Sequence, residues 1–517
     1  MSEPALVAET QSAPVSFQVK ILHRNPGNPA VERRRNMRAL TRWRGWILVA
    51  ATIASACTSA TSITGISGAP GSLPASRLST RQAAFLDTVQ RRTFNWFWEH
   101  SDPNNGLTPD RWPSKSFSSI AAVGFALTAY PIGVERGYVS RADAAQRTLN
   151  TLRFFYNAPQ GSQASNVSGY NGFFYHFLDM QTGYRFEQVE LSTIDTSLLL
   201  GGVLFCQSYY TGIDPTETAI RAYADSLYLR VDWAWAVHTA PYVSMGWKPE
   251  EAWIPADWRG YDEGMIVYVL ALGSPTHPID PAGWTEWTTT YKWADFYGQT
   301  HVNFPPLFGH QYSHIWIDFR GIQDAYMRGK GIDYFENSRR ATISQRSYAI
   351  DNPGKWRDYG ANVWGLTAGD GPFDTTFVVD GRTRQFFTYR ARGAAAGSIE
   401  DDGTIAPTAA GGSVAFAPEL TIPALIAMRE KYGDNLFNTY GFVDDFNPTL
   451  ISGTSKYGRI VPGVGWFDTD YLGIDQGPII AMIENYRSDL IWKTMRKNPY
   501  IVAGLKKAGF TGGWLGN

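Results

Sequence analysis

From about residue 80 onward the sequence repeats one pattern: an apolar run at helical spacing, then a loop rich in Gly, Trp and Tyr. Apolar residues recurring every three to four positions make a helix with one buried face. In 81–100, behind Ser79-Thr80, the residues Phe85, Val89, Phe94 and Phe97 fall on one side. Residues 118–136 are small and apolar. Ser140 with Asp143 makes a capping-box-like start for a helix to about 156. The run 190–211 is nearly all apolar after its first turn, and Asp214-Pro215-Thr216 opens the next helix with Pro in its first turn. Further helices are predicted over 262–272, about 281–297, 332–349, 419–432, 474–488 and 499–508. Segments 171–178, 311–319 and 374–391 read as short strands or extended loops. Strand–helix–strand alternation is weak, and no Gly-rich nucleotide fingerprint follows a strand. The prediction is an all-α fold with a few short strands. Periodicity alone fits both a toroid of paired helices and an irregular α-rich domain.

The chain has 517 residues, 44% of them hydrophobic, which is enough for a sizeable core. Its net charge is −1, so no basic field exists to hold nucleic acid. Aromatic residues reach 14%, with 19 Trp and 27 Tyr. Rings of this kind cover the flat C–H faces of sugars, although large cores use them as well.

The first 75 residues do not read as fold. Arg33–Arg35, Arg38, Arg42 and Arg44 precede an apolar run from Trp46 to Ala56, which ends in small residues before Cys57. This is the layout of an export signal. It lies far into the chain, so Met37 is the expected start and residues 1–57 combine an over-extended N-terminus with a signal. Cleavage before Cys57 would leave a lipid-anchored protein of the periplasm or outer membrane, with plain secretion as the alternative. Residues 58–80 read as a flexible tether and 81–517 as the catalytic domain. Cys206 is then the remaining cysteine, a buried filler with no disulfide partner. No Cys-based metal site is possible and no HExxH occurs, so neither a metal nor another cofactor is expected.

Acids at the mouths of apolar helices carry the chemistry. Glycoside hydrolysis needs two carboxyl groups across the scissile bond, one to protonate the leaving oxygen and one to activate water or attack. In GYDEGMIVYVLALGSPTHPI (260–279), Asp262 and Glu263 head an apolar run beside Tyr261 and Trp258. Glu263 reads as a general acid whose pKa is raised by its neighbours, or as a first-turn Glu favoured by the helix dipole. In ELSTIDTSLLLGG (190–202), Asp195 sits among apolar residues near a helix start that Ser192 or Thr193 could cap, and Glu190 precedes the cap. Asp195 is either a catalytic or sugar-binding acid or one bonded to backbone N–H groups. In WFDTDYLGIDQGPIIAMIENYRS (466–488), Asp468, Asp470 and Asp475 read as a base with sugar-binding acids, without the EF-hand's Gly and final Glu. His310 and His314, flanking Tyr312 and four apart, could ligate a metal on a helix, but without an obvious third ligand they read as sugar contacts or core histidines. Arg339, Arg340 and Glu336 read as a structural ion-pair network. Gly-rich loops carrying Trp364, Asp370, Asp401 and Asp402 read as rim loops of a cleft.

Eight segments then resemble one family in order. They are GFFYHFLDMQTG, ELSTIDTSLLLGG, GYDEGMIVYVLALGSPTHPI, LFGHQYSHIWIDF, YFENSRRAT, VWGLTAGDGP, DDGTIAPTAAGGS and DYLGIDQGPIIAMIENYRS. Together they resemble the glycoamylase-like domain, and more narrowly glycoside hydrolase family 144, the bacterial endo-β-1,2-glucanases. The resemblance runs from about 85 to 508. It implies an (α/α)6 toroid, an inverting mechanism and linear β-1,2-glucan as substrate, with sophorose or sophorooligosaccharides as products. It implies Glu263 as the acid and Asp470 as the base, with Asp468 and Asp475 as alternates and Glu190 as a third cleft acid. Asp195, His310, Tyr312, His314, Trp364, Asp402 and Asp468 are the expected substrate contacts. Residues 449–465 depart from the family pattern as an insertion that could wall off one end of the cleft and favour an exo mode. A glucan transferase, a glucan-binding module and a hydrolase of another glycan are the competing functions.

Overall fold

The computed structural model describes residues 78–516. The expectations for residues 1–57, with Cys57, and for nearly all of 58–80 lie outside the described residues. In chain order the α-helices are α1 (Thr80–His100), α2 (Ile120–Glu135), α3 (Arg141–Asn157), α4 (Thr193–Tyr209), α5 (Pro215–Leu229), α6 (Met265–Gly273), α7 (Ala282–Thr289) and α8 (Phe308–Trp316). They continue as α9 (Ala325–Lys330), α10 (Tyr334–Asp351), α11 (Pro407–Gly411), α12 (Pro418–Tyr432), α13 (Gly473–Ser488), α14 (Leu490–Met495) and α15 (Pro499–Lys507). None of the described helices is long and apolar enough to cross a membrane.

Two kinds of helix alternate. α2, α4, α6, α8, α11 and α13 are buried on almost every face. A helix that is apolar all round is stable only where protein surrounds it. α1, α3, α5 and α15 bury one stripe and show a polar face. α2 packs on α4, α4 on α6, α6 on α8, α11 on α13 and α13 on α2. α8 reaches α11 through Gln311, whose amide donates to the Ala409 carbonyl at 2.9 Å and to Ser413 Oγ at 2.8 Å. The partly exposed helices pack behind, with α1 on α13, α3 on α5 and α2, α15 on α6, and α12 on α11. α2 and α4 approach closely because glycines face each other. A Cβ on Gly124 would lie 2.3 Å from the Leu198 carbonyl oxygen, and one on Gly202 would lie 2.1 Å from that of Gly124.

Short antiparallel strands tie together the segments that lead into the buried helices. Ser118–Ser119, ahead of α2, pairs with Phe177–Leu178. Leu191–Ser192, ahead of α4, lies in a five-stranded sheet between Phe173–Tyr175 and Gly246–Lys248. Tyr471–Leu472, ahead of α13, pairs with Arg111–Trp112. The N-terminal ends of these helices are therefore gathered by the same set of loops. A satellite core of Phe373, Phe386, Leu450 and Trp466 joins the Thr375–Phe386 hairpin to the 449–465 segment.

Three expectations are corrected. Residues 311–319 are not extended: α8 runs to Trp316, and the chain straightens only from Ile317. Its β-branched and aromatic residues are enclosed on all sides, and burial outweighs strand preference there. The run at 262 becomes helical only at Met265, which leaves Asp262 and Glu263 in the turn before α6. The run at 281 ends at Thr289. A hairpin of Trp293–Phe296 and Gln299–Val302 follows, turned at Tyr297-Gly298 with φ of 51° and 74°. Two successive positive φ angles give the hairpin turn that matches strand twist.

Candidate active site

One half of the site is built around Glu263. Ser313 on α8 holds its turn against α6: Ser313 Oγ donates to the Glu263 carbonyl at 2.7 Å and accepts from Ile266 N at 3.0 Å. The Glu263 side chain is half-buried, and its Oε2 has no hydrogen-bond partner. Burial pushes its carboxyl up to about 7, and the charge of Asp195 adds to this. Asp262 is 5% exposed and accepts from Gly264 N at 2.9 Å, so it closes the turn.

Asp195 lies in the first turn of α4, where its N–H donates to Ser192 Oγ at 3.1 Å. Its carboxylate is 3.5 Å from His176 Nε2, and His176 Nδ1 is 2.8 Å from Glu190. Burial alone would lower the imidazole, but Asp195 and Glu190 outweigh it and raise it to about 9. Burial opposes ionisation of Glu190 too, yet His176 brings it down to about 2. Glu190 is therefore held as an anion against His176 rather than as a proton donor.

The other half is an acid cluster gathered from four segments. Asp370 N donates to Asp444 Oδ2 at 2.8 Å, Asp468 N to the Asp445 carbonyl at 2.9 Å, and Asp444 N to the Asp470 carbonyl at 3.0 Å. Asp475 joins from the first turn of α13, within reach of the Asp444 charge. Two guanidinium groups hold the cluster. Arg111 pairs with Asp110 and Asp370; Arg392 pairs with Asp402 at 2.7 Å and with Asp445 at 3.3 Å. Burial and then the Asp444 charge push Asp475 well up, and burial does the same for Asp445 and Asp468. Asp370 rises to about 6, since burial outweighs Arg111. Buried oxygens of Asp444, Asp445, Asp468 and Asp475 have no protein partner. Among the described residues, Asp370, Asp444 and Asp468 form the group whose oxygens, within 4.8 Å of one another, could hold a cation. Arg111 already neutralises Asp370 there.

Tyr312, on α8, links the halves. Burial raises its phenol, and Asp475, Tyr389, Glu263 and Asp195 all raise it further, so it stands between the two groups of acids. The structure thus brings together Glu263, Asp195, Tyr312, Asp468 and Asp475. Asp470 is spent differently: its carboxylate accepts from Ser114 N at 2.9 Å and ties down the loop behind Arg111.

Four expected substrate contacts are corrected to core roles. His310 and His314 are fully enclosed. His310 Nε2 faces the Phe304 carbonyl, and His314 Nε2 meets Ser338 Oγ at 3.1 Å. Burial lowers both imidazoles, His314 to about 3, so each is a neutral packing group. Trp364 is likewise closed off, and Asp402 is locked in its fork with Arg392. Arg340 pairs with Glu336 at 2.8 Å as expected, whereas Arg339 pairs with Glu419 at 2.6 Å.

Sequence reasoning missed Asp110, Arg111, His176, Asp444, Asp445, Tyr389 and Arg392. An acid doublet inside an aromatic run, GFVDDFNP, was the available signal for Asp444 and Asp445. A lone His in GFFYHFLD and the second Arg of YRAR (389–392) carry no comparable mark.

Comparisons with known proteins show what the chain is similar to. A family model described as "Putative glucoamylase" matches residues 255–499. The chain is 30% identical over 457 residues to an exo β-1,2-glucooligosaccharide sophorohydrolase (non-reducing end) of Parabacteroides distasonis, which covers 82% of this chain. The chain spans only 57% of that relative's length. A crystal structure described as a putative glucoamylase, from Bacteroides fragilis, is 32% identical with a TM-score of 0.71, covering 85% of this chain and 100% of its own. An endo-β-1,2-glucanase from Chitinophaga pinensis, solved with sophorotriose and glucose, is 28% identical with a TM-score of 0.71, covering 85% and 100%.

Proposed function

The chain belongs to the glycoamylase-like family of glycoside hydrolases, and from that premise we propose that it hydrolyses β-1,2-linked glucan by an inverting, two-carboxyl mechanism. The observation that carries the reading is the pairing of a half-buried carboxyl, held protonated near neutrality, with carboxylates across Tyr312. Glu263 donates its proton to the glycosidic oxygen as the bond to the anomeric carbon breaks. On the opposite face, Asp444 and Asp475 share a proton and act as one unit with one ionised oxygen. That carboxylate takes a proton from water as the water attacks the anomeric carbon. Glu190, His176 and Asp195 form the charged wall beside the acid.

The order of helix contacts supports the finer fold proposal. α2, α4, α6, α8, α11 and α13 follow one another and return to α2, as the inner ring of an (α/α)6 toroid does, with partly exposed helices outside. The basic and apolar leader before Cys57 supports export, with a lipid anchor on Cys57. Both relatives named for β-1,2-glucans support the substrate class.

Time-resolved product analysis on linear β-1,2-glucan tests the reading. Sophorose or longer sophorooligosaccharides should accumulate, and the anomer formed first should be the inverted one. A chain that leaves this glucan intact would refute the substrate class, and a retained anomer would refute the mechanism.

A further inference from the structure

The two helices next to Glu263 and Asp475 have no side-chain caps of their own. α1, α2, α3, α4 and α5 are each capped by the residue just ahead, whose hydroxyl or carboxylate accepts a first-turn N–H. α6 starts behind Gly264 and α13 behind Leu472, with no side-chain cap bond at either. A helix capped by its own chain is fixed against its own loop. α6 and α13 are fixed instead by hydroxyls on neighbouring helices. Ser313 of α8 serves α6: its Oγ donates to the Glu263 carbonyl at 2.7 Å and accepts from the first-turn N–H of Ile266 at 3.0 Å. Thr408 of α11 serves α13: its Oγ1 donates to the Asp475 carbonyl at 3.0 Å.

The two holders are themselves joined. Gln311, two residues before Ser313 on α8, donates through Nε2 to the carbonyl of Ala409, the residue after Thr408, at 2.9 Å. It also donates to Ser413 Oγ at 2.8 Å. Ser313, Gln311 and Thr408 are 1%, 1% and 3% exposed, and bonds in such surroundings are stronger than in water. Glycines let α11 sit close between its neighbours. A Cβ on Gly411 would meet Ile479 Cγ1 of α13 at 2.7 Å, and one on Gly412 would meet Gln311 Oε1 at 2.5 Å and Pro478 Cβ at 3.0 Å. Helices packed this closely have little room to slide. A buried strap therefore runs from the Glu263 carbonyl through Ser313, Gln311, Ala409 and Thr408 to the Asp475 carbonyl.

We infer that Ser313, Gln311 and Thr408 are positioning residues that set the spacing between the Glu263 and Asp475 carboxyls. This rests on the two-carboxyl reading and names what holds its geometry. Inversion depends on that spacing, because the attacking water has to fit between the base and the anomeric carbon. Ser313→Ala and Thr408→Val each remove one hydroxyl with little change in volume. Each should lower kcat on β-1,2-glucan by about ten- to a hundredfold. KM, and calorimetric affinity for sophorotriose, should stay within about twofold of wild type, because the cleft itself is kept. Thr408→Ser keeps the hydroxyl and should recover most of the lost kcat. The double variant should lose little beyond the worse single one, since either cut opens the same strap. Wild-type kcat in either hydroxyl-free variant would overturn the inference, and so would a Thr408→Ser variant as slow as Thr408→Val. Affinity lost in step with kcat would also overturn it, because that marks a collapsed cleft rather than an altered spacing. Losses that multiply in the double variant would replace the strap with two separate local supports. Failure of the parent reading looks different: the wild-type chain itself would then release no product from β-1,2-glucan.

Discussion

The Glu263 turn and the acid cluster opposite hold protons near neutrality in two different ways. At Glu263 one carboxyl is raised mainly by loss of water, in a turn that Ser313 fixes from the next helix. In the cluster, Asp370, Asp444, Asp445, Asp468 and Asp475 are also desolvated, but they crowd one another and lean on Arg111 and Arg392. The first arrangement leaves one half-buried carboxyl, with Asp262 beside it buried and turned to the Gly264 N–H. The second gives a shared charge that moves among several oxygens. An acid that must release its proton to one atom suits the first, and a base that must hold an attacking water suits the second. The proposed donor is accordingly one residue and the proposed base a pair.

The sharpest way to break the comparison is Glu263→Gln. It removes the proposed proton donor and should cut kcat by about 10²- to 10⁴-fold with an unchanged melting temperature. A variant retaining wild-type kcat would transfer the acid role elsewhere. Next come Asp444→Asn and Asp475→Asn. Each alone should lower kcat by about a hundredfold or more, and the double variant should lose little beyond the worse single one. Losses that multiply would show that the two carboxyls work independently.

A smaller effect separates the two sides by pH. Glu263 must be protonated to act, so activity should fall as pH rises through about 7. The Asp195 charge helps keep that proton on. Asp195→Asn should therefore move the alkaline limb of kcat/KM to lower pH, and a shift upward or none would separate Asp195 from the acid. The smallest effect is expected at Asp470→Asn. Its carboxylate anchors Ser114, so kcat should fall by less than about tenfold. A loss equal to that of Asp475→Asn would restore Asp470 as the base.

Much of the helical framework was legible because local spacing carries it. The starts after Ser79, Ser140 and Asp214 coincide with side chains that cap the helices. The segment 311–319 was misread because β-branched and aromatic residues describe burial as well as strand, and only the neighbours of α8 tell the two apart. On the site, Glu263 was legible because an acid heading an apolar run is conspicuous in one dimension. His310 and His314 misled for the same kind of reason. Their spacing of four puts them on adjoining turns of one helix, but spacing does not say whether the helix meets a cleft or a core.

By itself, the sequence determined where the apolar helices lie, that an acid stands at the mouth of α6, and which family its motifs follow, because each is a short-range pattern. The tertiary structure alone decided the other half of the site. Asp110, Asp370, Asp444, Asp468 and Asp475 come from segments up to hundreds of residues apart and meet only when the strands ahead of α13 pair with Arg111–Trp112. Protonation depends on water excluded and charges brought near, and both are properties of the folded neighbourhood rather than of the residue.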